Sequence, residues 1–155
     1  MNQPVFFNIY LTVNYELFFS GFFNLFIYWE IFTIILLFLT FFNSAKGLIF
    51  KREFKNFDFR LSLFSLIFSV IFLVLNLFLW LVNFGKSYWY PKIKIDEALL
   101  SSPVLNFETI IFNFLSLLMV SIGWSLHRKA NTSLKKFVRI FIFYLLGLLI
   151  LTIRF

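Results

Sequence analysis

Between Glu30 and Gly47 the small and polar residues recur at steps of three and four. Glu30, Thr33, Leu37, Thr40, Ser44 and Gly47 lie 3, 4, 3, 4 and 3 residues apart, which places all six on one face of a helix. Only Leu37 among them is large and apolar, and the opposite face is Phe, Ile and Leu. In water such a helix would be inside out. In lipid it is sensible, because acyl tails are as apolar as Leu and small or hydroxylated residues let helices approach closely. The pattern predicts a membrane-spanning helix packed inward along its stripe, over about residues 28–48.

The same arrangement returns twice. From Leu61 to Phe84, 18 of 24 residues are Leu, Ile, Val or Phe, each favouring insertion by roughly 0.3–0.6 kcal/mol when central. Ser62, Ser65, Ser69, Asn76 and Asn83 form its stripe. A third span, about 106–126, carries Asn106, Thr109, Asn113, Ser116 and Gly123 at similar spacing. The fourth, 137–153, has only Tyr144 and Gly147 on its stripe, and is expected to dock on a partner or face lipid. The stripes of the first three helices are expected to pack together.

Ahead of these, residues 1–27 read as an interfacial or partner-bound arm, with entry of the first helix near Leu17 as the alternative. Residues 1–15 contain no Lys or Arg, so the basic start of a secretory signal is missing. The longest loop opens on the aromatic belt Tyr88, Trp89 and Tyr90. It continues through the alternating Lys92 to Asp96, a candidate short strand. The fold class is thus all-α, a single four-helix membrane domain over residues 1–155.

Composition narrows the class further. The chain is 61% hydrophobic and 14% charged, with mean hydropathy +0.92, whereas soluble domains are about half apolar and a quarter charged. With no cysteine and one histidine, the chain alone offers no thiolate site, no bis-histidine ligation and no metal cluster, and no cofactor is expected in it. The 27 Phe, with Ala, Gly and Pro scarce, follow the bias of AT-rich codons and point to an organellar genome. Ten of the 14 cations flank the loops after the first and third spans: Lys46, Lys51, Arg52, Lys55, Arg60, Arg128, Lys129, Lys135, Lys136 and Arg139. The positive-inside rule then puts both basic loops in the matrix or cytoplasm and both termini on the outer side. The net charge of +7 needs no nucleic acid to explain it.

Glu30 is the sharpest candidate for chemistry, since a carboxyl deep in lipid suggests a proton or ion path. It begins the apolar run instead of bisecting it, which favours a partly wet interfacial residue beside Tyr28 and Trp29. Glu108 is expected to help the positive end of the third helix. His127, beside Arg128 and Lys129, reads as a solvated loop residue. Lys51, Arg52, Lys135 and Lys136 are candidates for an anionic lipid headgroup such as that of cardiolipin.

Trp29-Glu30-Ile31-Phe32, at the start of the first span, is similar to the Pro-Glu-Ile/Phe opening of a known family, with Trp where the family has Pro. A basic loop, a very apolar second helix and a long outer loop follow in the same order. Phe107 to Leu118, and Leu145-Leu146-Gly147-Leu148-Leu149-Ile150-Leu151, resemble the third and fourth helices. The family is the second chain of NADH–quinone oxidoreductase, an antiporter-like membrane-arm subunit of respiratory complex I, and the resemblance is to its first four helices. It implies a split, mitochondrially encoded subunit of the inner membrane. Its partners would be other membrane subunits, including the polypeptide carrying the rest of that chain. The family's pump residues fall on later helices, so this chain would contribute none. Two rivals stand beside it: an accessory subunit of another respiratory complex or of ATP synthase, and a small transporter or enzyme acting alone through Glu30.

Overall fold

The computed structural model describes residues 5–89 and 106–153, and the surroundings of side chains over 17–84 and 106–153. Four helices make up the fold: α1 (Val5–Ile49), α2 (Asn56–Trp89), α3 (Phe107–Arg128) and α4 (Ser133–Ile153). Each is long and apolar enough to cross a membrane, and only about a third of each span is buried within the protein. This is the architecture of a helical, multi-pass membrane protein. The candidate strand from Lys92 to Asp96 lies outside the described residues.

Consecutive helices run antiparallel and close into a ring, with α4 returning to pack on α1. Paired contacts fix the register. Phe22 meets Phe78 and Phe26 stacks on Phe72 between α1 and α2. Phe59 meets Trp124 and Trp80 meets Phe107 between α2 and α3. Phe41 stacks on Phe141 between α1 and α4. The result is an up-down-up-down bundle with Val5 and Ile153 at the same end.

The fourth helix differs from expectation. α4 keeps an outward apolar face but also packs along both α3 and α1, burying Phe137, Ile140, Tyr144, Gly147, Leu148 and Leu151. Its interface works through shape, with large residues of one helix seated on glycines of the other. A Cβ on Gly47 would lie 2.5 Å from the Phe137 ring, and one on Gly123 2.6 Å from Phe143 Cβ. The stripe is thin in polar residues because glycine and aromatics supply the fit.

The first helix also differs, since α1 begins at Val5 and not near Tyr28. The segment read as an arm is continuous with the span, because Asn8, Asn14 and Glu16 are not helix breakers. At 45 residues α1 is roughly 68 Å long, more than twice the hydrocarbon thickness of about 30 Å. α3 begins at the level of the Trp80–Phe107 and Phe22–Phe78 contacts. From Phe22 back to Val5 α1 continues roughly 25 Å beyond that level, and from Phe78 to Trp89 α2 continues roughly 16 Å.

Candidate functional site

The polar stripes lie in the interior of the ring. Glu30, Thr33, Thr40, Ser44, Ser62, Ser65, Ser69, Asn76, Thr109, Asn113 and Ser116 are all buried, as are Gly47, Gly123 and Gly147. Asn106, at the N-cap of α3, is exposed and makes no side-chain cap bond; Asn83 is half-buried.

Some of these groups are satisfied within their own helix. The hydroxyls of Thr33, Ser44 and Ser69 donate to the carbonyls four residues back, each at 2.8 Å, a common way to carry a hydroxyl through an apolar environment. Others join helices. Thr40 and Ser65 share a 2.6 Å hydroxyl bond between α1 and α2. Asn113 donates to Asn76 Oδ1 at 3.2 Å between α3 and α2. Ser116 donates to the Gly147 carbonyl at 2.7 Å between α3 and α4, and the Tyr144 hydroxyl donates across the ring to the Ser62 carbonyl at 2.8 Å. Each such bond contributes modestly in lipid, about 0.6 kcal/mol on average. Together they set the register of every neighbouring pair but α1 with α4.

Glu30 belongs to this interior. It is 6% exposed, with the apolar turns from Leu17 to Trp29 preceding it in the same helix. It therefore does not begin the apolar span, and within the protein it is buried instead of partly wet. Lys46, on the basic side, lies 16 residues further on, or about 24 Å along the axis. Glu30 thus lies closer to Lys46 along the axis than the roughly 30 Å of a hydrocarbon core. Trp29 is not a headgroup anchor either. Its ring stacks on Phe68 with centroids 4.8 Å apart, and its Nε1–H donates to the Phe68 carbonyl at 3.2 Å. Tyr28, one position round the helix, stays exposed.

At the basic end the structure builds a clamp that the sequence pattern did not single out. α1 ends in a Schellman-type turn in which Arg52 N–H donates to the Gly47 carbonyl at 3.3 Å. Lys51 adopts the left-handed conformation, with φ 46°, where glycine is usual. That turn brings Arg52 back onto Asp58, in the first turn of α2. The guanidinium forks onto both carboxylate oxygens and also donates to Asn43 Oδ1 at 2.8 Å. Asn43 in turn donates to Asp58 Oδ1 at 2.6 Å, and the Lys55 backbone N–H donates to Asp58 Oδ2 at 2.8 Å. That last bond is half of a capping box. Asp58 is 2% exposed, and the Arg52 guanidinium also lies 4.9 Å from the centre of the Phe137 ring. Three segments, the end of α1, the start of α2 and the start of α4, are tied at one point.

The clamp alters the expected headgroup set. Arg52 is committed to Asp58 and Asn43, while Lys136 leans over the Phe54 ring at 5.4 Å; Lys51 and Lys135 remain exposed. Arg139 donates to the Leu126 carbonyl, capping the end of α3. Glu108, exposed in the first turn of α3, sits where a carboxylate favours the helix dipole.

His127 is a further correction. It is 1% exposed, inside a box of Phe54, Phe59 and Trp124 with ring centroids 5.7, 6.1 and 4.7 Å away. Neither ring nitrogen has a hydrogen-bond partner among the described residues. α3 runs on to Arg128, so the stripe that passes through Gly123 reaches His127 four residues later. That spacing was present in the sequence; Asp58 carried no comparable signal, since the N-cap position three residues before it is Lys55 and not Ser, Thr, Asp or Asn.

No family model, curated protein or solved structure matches the chain. Among the described residues no three His, Cys, Asp or Glu gather to hold a metal. The interior hydroxyls and amides are spent partly on carbonyls of their own helix and partly on joining helices.

Proposed function

We propose that this chain is a structural subunit of a proton-translocating respiratory complex of the mitochondrial inner membrane. In that role it completes an antiporter-like subunit of the NADH:ubiquinone oxidoreductase membrane arm without supplying pump residues. The observation that carries the reading is the reach of α1. α1 runs on through the largely apolar sequence Val5–Gly21 beyond the Phe22–Phe78 contact, accompanied for part of that distance by α2 up to Trp89, and helices that outrun the rest of a bundle offer a surface to a neighbouring subunit. The similarity of Trp29-Glu30-Ile31-Phe32 and of Phe107 to Leu118 to the family's first and third helices supplies the identity of the assembly. The charge bias supplies the orientation, with the Lys46–Arg60 and Arg128–Arg139 regions on the matrix side.

Native electrophoresis of mildly solubilised membranes tests this directly. The chain is expected to co-migrate with NADH dehydrogenase activity. Co-migration with ATPase activity would transfer the role to an ATP synthase accessory subunit, and migration alone would reject both.

The burial of Glu30 favours one second reading, in which this carboxyl carries protons. Glu30→Gln preserves size and hydrogen-bonding capacity, so under the structural role the assembled complex keeps its level and its turnover within about twofold. Normal assembly with loss of proton translocation would instead establish the carboxyl as a proton carrier.

A further inference from the structure

The bundle bears an apolar groove of about 560 Å³ on its outer surface, between the end of α1 and the start of α2. That volume is within the roughly 300–1,000 Å³ of sites that bury a small ligand. Leu39, Phe42, Ala45, Phe57 and Leu61 line it, and Lys46 contributes to its edge. Asn43 also borders the groove, but both ends of its amide are taken by Asp58 and Arg52. The Lys46 ammonium makes no ion pair among the described residues, and the exposed cations Lys51, Lys55 and Arg60 lie in the adjoining loop and helix start.

We infer that this groove holds one acyl chain of an anionic phospholipid, whose phosphate is bound by Lys46. An occupant must present hydrocarbon to the walls and a negative charge to the rim. It must also reach the groove from the bilayer, at the depth where α1 leaves it. A lipid with an anionic headgroup meets all three conditions, and basic pockets between membrane helices recognise such headgroups. The site centres on Lys46, outside the Lys51, Arg52, Lys135 and Lys136 set, of which Arg52 is closed off by the clamp. The inference is independent of which assembly contains the chain.

The full-length protein, reconstituted in nanodiscs of equal dioleoyl phosphatidylglycerol and dioleoyl phosphatidylcholine, is released from them into a native mass spectrometer. Wild type is expected to retain phosphatidylglycerol in preference to phosphatidylcholine. Lys46→Gln should lower that preference about fivefold, the weight of one cation at a membrane surface. Ala45→Phe, which fills the groove and leaves the charge, should abolish retention of either lipid. Lys129→Gln, an exposed cation at the far end of α3, should change nothing. Equal retention of the two lipids by wild type, an unchanged preference in Lys46→Gln, or normal retention in Ala45→Phe would each overturn the assignment.

Discussion

Asp58→Ala is expected to destabilise the bundle by about 3 kcal/mol, measured by reversible unfolding in mixed detergent followed by circular dichroism. Removing one member of a buried ion pair costs roughly 3–5 kcal/mol, because the remaining charge is left without its partner. The Arg52 side chain is 29% exposed, so water recovers part of that cost and the lower end applies. The change also removes the acceptor for Asn43 and for the Lys55 N–H. A double-mutant cycle with Arg52→Ala should then show that the two losses do not add, with a coupling of at least about 1 kcal/mol. Additive losses would mean that the clamp is only an accidental meeting of side chains. Asp58→Asn, which keeps an acceptor for the Lys55 N–H, should lie between wild type and Asp58→Ala.

The second large effect is expected at Gly147. A Cβ there would lie 2.8 Å from Val120 Cγ2 and 3.2 Å from the Ser116 carbonyl oxygen. The first contact is a side-chain methyl that can turn aside, but the second is helix backbone. Ala is therefore tolerated at a cost of about 1 kcal/mol, whereas Leu must drive α3 and α4 apart, with a loss of about 3 kcal/mol or more. Separation also breaks the bond from Ser116 to the Gly147 carbonyl and exposes Tyr144 beside it. Gly21 supplies the contrast, since a Cβ added there would meet nothing within 4 Å; Gly21→Leu should leave the unfolding midpoint unchanged or slightly raised. Equal tolerance of Leu at both glycines would show that α3 and α4 are not in close contact.

Both effects sit where helices meet, and their legibility in the sequence differs for a physical reason. A step of three and four residues maps directly onto a helix face, and lipid inverts the rule for which face turns inward. Thr40 and Ser65 were marked by spacing alone, and they bond to each other at 2.6 Å. His127 was equally periodic, yet its place among charged neighbours suggested water; continuation of α3 to Arg128 placed it in an aromatic box instead. The Asp58 clamp depends on a turn at Lys51 that brings Arg52 back to its partner, and no periodicity encodes the direction of a turn. Glu30 illustrates a third case: its face was readable, but its burial depended on how α1 packs within the bundle.

By itself the sequence determined that the chain has four apolar spans, which side of the first three carries the small and polar groups, and at which end the cations gather. These follow from composition and from the helical repeat, both local properties. Only the tertiary structure decided that α4 closes the ring on α1, that aromatic rings rest on glycines there, and that one carboxylate ties three segments together. Those outcomes depend on which faces meet and how closely, and contact between residues as far apart as Ser62 and Tyr144 leaves no mark in the spacing of either helix.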